Sequence, residues 1–285
     1  MLSKLWLTVK RFPVLHSSIK KIFELSCEHI PPLRRILYNL GTSPTGLDFG
    51  TGDMAKDWNL RSQKNAKWYI YWDAWKTEGE FNASGEKEVK DIVLKNISLH
   101  QDARVLEIGC GVGRLLKPMS GHVKEAYGVD ISHEMIRQAN ERLKNSNISL
   151  SVTDGTLSAF ADNYFDLCYS LAVFRHIPEK KFIYQYISEA GRVLKPEGVL
   201  RFEVWGAHSS KSREKGGTIV GVTFNEPEMR AKLEELGFMV LTVEERQGLP
   251  YIVYTAVRKS KNGVEPTKAF DWVDGNMSRV VKVAS

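Results

Sequence analysis

Apolar and polar positions along this chain follow two different periods, and the change from one to the other marks its elements. Apolar runs at 105–108, 123–129, 148–152, 165–170 and 199–205 have strand length and are rich in Val, Ile, Phe and Tyr. Between them lie stretches with helical spacing. In one, Met135, Ile136 and Ala139 share a face behind Ser132, a suitable N-cap. Another runs from about 179 to 194, and Lys195-Pro196-Glu197-Gly198 then predicts a turn before the next strand. A short helix is expected at 114–119. Further on, Asn225 and Pro227 predict a helix start, Gly237 its end, and 238–243 with 251–257 a closing hairpin. Strand and helix alternate, which predicts an α/β fold with a largely parallel sheet.

The N-terminal pattern differs. Leu2, Leu5, Trp6, Val9 and Phe12 fall at helical spacing, and a second stripe (Leu15, Ile19, Ile22, Phe23, Ile30) follows Pro13 and ends at Pro31-Pro32. No apolar run reaches the roughly 18 residues that suggest a membrane-spanning helix. Charge sharpens the contrast. The chain carries +6, and residues 1–40 hold seven basic and two acidic residues, hence +5. The remaining 245 residues net about +1, which argues against a broad nucleic-acid surface. Two readings of residues 1–40 stand: a basic interfacial helix on anionic lipid, or a helical extension packed on the core or a partner. Residues 41–52 read as a linker, and 58–72 carry a dense aromatic cluster. Residues 260–285 form a polar tail, disordered or loosely docked. The expected organisation is a basic extension at 1–40, linker and aromatic pre-core helices at 41–84, a main domain at 85–259 and a tail at 260–285. A hydrophobic content of 42% and 26% charged residues fit a soluble globular protein. Cys27, Cys110 and Cys168 have neither disulfide-framework nor metal-ligand spacing, so a cytoplasmic location is expected, with membrane contact at most peripheral through residues 1–40.

The stretch Val105-Leu106-Glu107-Ile108-Gly109-Cys110-Gly111-Val112-Gly113 carries the chemistry. A strand runs into an acidic residue and then three glycines at alternate positions. Such a loop is either a plain tight turn or a place where backbone approaches a ligand closely. The dinucleotide fingerprint G-x-G-x-x-G does not fit, because the third glycine comes one residue early and Arg114 takes its place. Asp130 ends the second strand 19 residues beyond Gly111, close to the roughly 20 expected of a ribose-binding acid. Asp154-Gly155-Thr156 ends the third strand.

The pattern E-x-G-x-G-x-G and the elements in register behind it resemble class I S-adenosylmethionine (SAM)-dependent methyltransferases over about residues 85–258. The resemblance implies a Rossmann-like sandwich: a mostly parallel seven-stranded sheet with an antiparallel last strand, helices on both faces, and here an N-terminal helical extension. It implies SAM as cofactor, held by Glu107, Gly109, Cys110, Gly111, Gly113, Asp130, Ile131, Met135, Asp154, Gly155, Thr156 and Ser170. Asp130 would accept from the ribose hydroxyls, and the acid of the third strand from the adenine amino group. The aromatic cluster resembles, in part, the pre-core lid of small bacterial members. That places Arg61 near the methionine carboxylate and Tyr69 or Trp72 over the site; an aromatic face sealing a helix on the sheet is the alternative. His176, just past the fourth strand, is the candidate general base, with Glu203 and Trp205 behind it. No Asp/Asn-Pro-Pro-Tyr/Phe follows the fourth strand and no Pro-Cys pair exists, which disfavours nucleobase methylation. The acceptor expected is a small or lipid-linked molecule, methylated at O, N or C. A SAM-binding partner protein without catalysis, and a methyltransferase of RNA or protein, are the other classes.

Overall fold

The computed structural model describes residues 53–70, 77–207, 216–246 and 249–260, and the backbone of 270–271. The N-terminal extension, the linker, Trp72, residues 208–215 and most of the tail lie outside the described residues.

Helix α1 (Met54–Ile70) opens the described chain. Its buried face is polar, made of Asp57, Arg61 and Ser62 with Ala66 and Tyr69. The helix breaks at Asn65 (φ −170°, ψ 88°), whose side chain accepts from the Trp68 N–H at 3.1 Å and so caps the last turn. Helix α2 (Glu78–Glu88) begins at a capping box of Thr77 and Glu80 and runs into a π-helical turn, Val89–Val93. Strand β1 (Ser98–Leu99) follows, then β2 (Arg104–Ile108), α3 (Leu116–Met119), β3 (Glu125–Asp130), α4 (His133–Arg142), β4 (Ile148–Val152) and β5 (Phe165–Ser170). After a 3-10 turn, Phe174–His176, come α5 (Lys180–Val193), β6 (Leu194–Gly206), β7 (Thr223–Phe224), α6 (Glu226–Glu235), β8 (Phe238–Glu245), β9 (Tyr251–Arg258) and β10 (Phe270–Asp271).

The main sheet runs β4-β3-β2-β5-β6-β9-β8, with β7 paired to the end of β6. Pairings across β4, β3, β2, β5 and β6 are parallel, and β9 is antiparallel to both neighbours. This is the Rossmann-like sheet with an antiparallel last strand that the resemblance implies. β5 is buried at every position, as a central parallel strand must be. One apolar cluster centres on Phe165, Phe174, Phe202 and Tyr254 against α5 and α6; the second, with Val105, Leu116, Leu167 and Tyr169, lies under the π turn and α3.

Two local expectations need correction. The helix after the glycine loop is only Leu116–Met119, because the loop itself extends to Leu115. The chain at 195–198 is no turn between elements. β6 starts at Leu194, paired with Phe165, and the register shifts before Leu167 meets Val199. Glu197 (φ 68°) absorbs that irregularity. In the tail, Phe270–Asp271 pairs antiparallel with Ser98–Leu99. No helix among the described residues is long and apolar enough to cross a membrane.

Candidate functional site

The order β4-β3-β2-β5 reverses direction beside β2, and an open parallel sheet has its ligand crevice at such a reversal, outside the carboxyl ends of the strands. An open cleft lies there. Its floor is the turn Gly109-Cys110-Gly111, fixed to β3 by the N–H groups of Gly109 and Cys110, which donate to the Val129 carbonyl at 2.7 and 2.9 Å. Gly109 (φ 79°) and Gly111 (φ 53°) both take left-handed backbone. A Cβ on Gly109 would fall 2.4 Å from a Val173 methyl, so only glycine lets β2 and the segment after β5 close up here.

Asp130 stands on the β3 side of the cleft. Its carboxylate accepts from the N–H of Gly111 and of Ser132, each at 2.9 Å. Two of about four lone-pair directions are thereby used. Burial pushes its pKa up to about 6, against the pull of those N–H donors. A desolvated carboxylate with acceptor capacity to spare suits a pair of ribose hydroxyls. Ile131, Met135, Thr153 and Tyr186 continue this wall. Ser132 caps α4 by accepting from Met135 N–H at 3.1 Å, and Met135, Ile136 and Ala139 are the buried face expected.

Glu107, at the end of β2, is buried and accepts from the Tyr169 hydroxyl at 3.1 Å. Burial raises its pKa to about 8, despite Tyr169 and the Arg114 charge nearby. A carboxyl raised in the folded state favours folding fully below about 4.5, and that contribution fades as pH climbs through about 8. Glu107→Gln is therefore expected to stabilise the protein by about 1–3 kcal/mol at pH 8, with the gap shrinking toward pH 5. Urea unfolding at the two pH values measures it; an equal or inverted gap would contradict the protonation logic.

His176 faces the cleft from the β5 side and packs edge-on against Trp58, with ring centroids 5.3 Å apart. Both ring nitrogens are engaged. Nδ1 donates to the Ile219 carbonyl at 2.6 Å, and Nε2 accepts from Arg175 Nε at 3.3 Å. Burial, then the Arg175 charge, lowers its pKa to about 3. The ring is thus neutral across the physiological range, and its titration lies far below the ordinary 6.5. Glu203, fully buried, pairs with Arg175 and Arg246 at 3.4 and 2.8 Å, and Trp205 donates to the Arg175 carbonyl at 2.8 Å. These two support His176 from behind and do not line the cleft.

The remaining expected residues divide. Gly113 turns to Leu143, and the Ser170 hydroxyl donates to the Ile108 carbonyl at 2.9 Å between strands; neither lines the cleft. Asp154 is exposed and accepts from Thr156 N–H and hydroxyl at 3.0 and 2.7 Å, so Asp154, Gly155 and Thr156 form a local turn beside the cleft, with Thr153 facing it instead. Arg61 is buried in α1, bonded to Thr218 and stacked 4.9 Å over Trp58, not in the cleft wall. Tyr69 does line the cleft, joined by Met54, Trp58 and Ile70 from α1, and by Val173 and Ile177 after β5. Trp58 and Tyr69 stood in the aromatic cluster. Nothing in the sequence marked Thr153 or Tyr186.

Sheet order, glycine floor, strand-end acid and α1 roof define a class I SAM-dependent methyltransferase fold. Residues 106–202, about a third of the chain, match the family model described as a methyltransferase domain. Phosphoethanolamine N-methyltransferase 2 of Caenorhabditis elegans is 31% identical over 120 residues, covering 41% of this chain and 27% of the relative. Cyclopropane-fatty-acyl-phospholipid synthase of Escherichia coli K12 is 28% identical over 134 residues, 47% of this chain and 34% of the relative. The chain therefore matches only about a third of these relatives' own length. Among solved structures, magnesium protoporphyrin IX methyltransferase from Synechocystis, with bound S-adenosylhomocysteine (SAH), has a TM-score of 0.52 at 18% identity, covering 72% of this chain and 98% of that one. The [4+2]-cyclase SpnF has a TM-score of 0.58 at 16% identity, over 73% and 96%. The fold alone does not fix the reaction.

Proposed function

We propose that this protein transfers the methyl group of SAM to a small or lipid-linked acceptor. The observation that carries the reading is the Asp130 carboxylate on the cleft wall, anchored by two backbone N–H groups and desolvated, above a glycine floor. The residues fit the cofactor: Asp130 would take the ribose hydroxyls, and Ile131, Met135 and Tyr186 offer apolar surface for the base. When bound, SAM supplies a methyl on a sulfonium whose leaving group is neutral. What the protein contributes is alignment. Trp58, Val173, His176 and Ile177, on the side of the cleft away from β4, would position the acceptor. As placed, His176 orients and shields; taking a proton would require Arg175 to withdraw from Nε2.

Relatives named for phosphoethanolamine, phospholipid and sterol chemistry support an acceptor of that general kind. Isothermal calorimetry with SAM, followed by labelled-methyl transfer into a cell extract with lipid and aqueous fractions separated, tests the reading. Heat of binding with label in one fraction supports it; binding with no labelled product leaves a SAM-binding partner protein, and label in RNA or protein moves the acceptor class.

The +5 charge of residues 1–40 beside an apolar stripe supports peripheral contact with anionic lipid. The full chain is expected to sediment with vesicles containing phosphatidylglycerol, less so as salt rises. Equal recovery in the supernatant with and without vesicles would count against it.

A further inference from the structure

Helix α1 is fastened on two sides of the cleft, each time by polar groups. On the cofactor side, Asn59 Oδ1 accepts from the Ser132 hydroxyl at 2.8 Å and from Glu134 N–H at 3.0 Å. Ser132 is the residue whose N–H holds Asp130. Gln138 adds a bond to the Ser62 carbonyl at 3.0 Å. On the other side, Arg61 donates to the hydroxyl and the carbonyl of Thr218 at 2.8 and 3.1 Å, and that hydroxyl donates to Asp57 at 2.9 Å. Asp57, Arg61, Thr218 and Ser132 are all buried. The next residue, Ile219, receives the His176 ring, and Gly221 N–H donates to the Arg175 carbonyl at 2.8 Å. Neither Asn59 nor Thr218 lines the cleft.

Buried polar bonds of this kind are costly to leave half made. Asn59 and Arg61 sit two residues apart on one rigid turn, so releasing one fastening strains the other. Trp58, just before them, and Tyr69 and Ile70, past the break at Asn65, face the cleft, and Ile70 lies over Gly111. A ligand beneath that roof gains contacts only when α1 is docked.

We propose that Asn59 and Thr218 are positioning residues that tie the two halves of the site together through α1, so that occupancy of the cofactor side at Asp130 orders the 216–222 segment that holds His176. The proposal rests on Asp130 binding the cofactor. It implies that cofactor binds first and completes the acceptor side. The coupling is reciprocal: loosening Thr218 weakens cofactor affinity although Thr218 touches no part of the cleft.

SAH is the probe, and amide hydrogen exchange of the full chain is the readout. In wild type, SAH is expected to slow exchange at 216–222 about tenfold or more. In Thr218→Val, SAH should still protect 133–136 but leave 216–222 unchanged, with affinity down about five- to tenfold. Thr218→Ser should restore both. A simple structural role would not produce that split or its rescue. Should Thr218→Val fail to fold, Asn59→Ala carries the same expectation at 216–222, with Thr218 intact. Equal protection of 216–222 in wild type and variant overturns the coupling, as does calorimetric binding of SAH without protection there. Absence of binding by both SAH and SAM in wild type overturns the cofactor reading, and the coupling with it.

Discussion

Gly109→Ala is expected to abolish measurable SAM binding and to destabilise the domain by about 2–5 kcal/mol. Two costs add. At φ 79° a Cβ is strained, by about 1–2 kcal/mol. The new carbon would also sit 2.4 and 2.5 Å from the two Val173 methyls and 3.0 Å from Val173 Cβ, an overpacking worth about 1–3 kcal/mol. Val173 cannot retreat freely, because its carbonyl accepts the His176 N–H at 2.8 Å and begins the 3-10 turn. Relief must therefore come from the cleft floor. Gly111 is more forgiving: its Cβ would meet Ile70 Cδ1 at 3.2 Å, the far end of a side chain on α1. Urea unfolding and SAM calorimetry on the two alanine variants measure the contrast. A Gly109→Ala protein within 0.5 kcal/mol of wild type that binds SAM normally would show that the floor and the post-β5 segment are not in register as described.

Asp130→Ala is expected to weaken SAM by about 2–3 kcal/mol, the loss of charge-assisted bonds to hydroxyls inside a desolvated site. For wild type, affinity should fall as pH drops through about 6, because the protonated carboxyl is a poorer acceptor. Stability of the ligand-free protein should follow the opposite sign. A carboxyl raised in the fold favours folding fully below about 3.8 and progressively less as pH climbs through about 6. The Gly111 and Ser132 N–H groups bond different oxygens of Asp130, so Asp130→Asn keeps an acceptor for only one of them and should lose some stability while still binding SAM weakly near pH 7.5. Wild-type affinity for Asp130→Asn, with a flat pH profile, would reduce Asp130 to a loop anchor.

The strands and helices were legible because their periods are strong: 148–152 and 165–170 were placed to the residue, and Ser132 and Asn225 cap where their side chains predict. Glu107, Gly109, Cys110, Gly111, Asp130, Ile131 and Met135 meet in one cleft because a strand, a turn and the next strand end fix them locally. Arg61 was placed in the cleft from its neighbourhood in sequence, yet its partner, Thr218, lies 157 positions away. Thr153 faces the cleft and Asp154 faces solvent because the Asp154 carboxylate is satisfied by its own turn, a competition no motif encodes. His176 kept its place but not its titration, since burial and Arg175 act only once the chain is folded.

Cys110 turns the floor of the cleft into a chemical clock. Its thiol is free and buried, with the Asp130 and Glu107 charges adding to burial to push its pKa well above 9. At neutral pH almost none of it is thiolate, the form that reacts with alkylating reagents. Cys168 is sealed inside β5. The rate at which a small maleimide consumes Cys110, read on its own peptide apart from Cys27, thus counts the moments when the turn opens its packing on Gly128 of β3. The wild-type protein carries its own gauge of access, with no label to introduce.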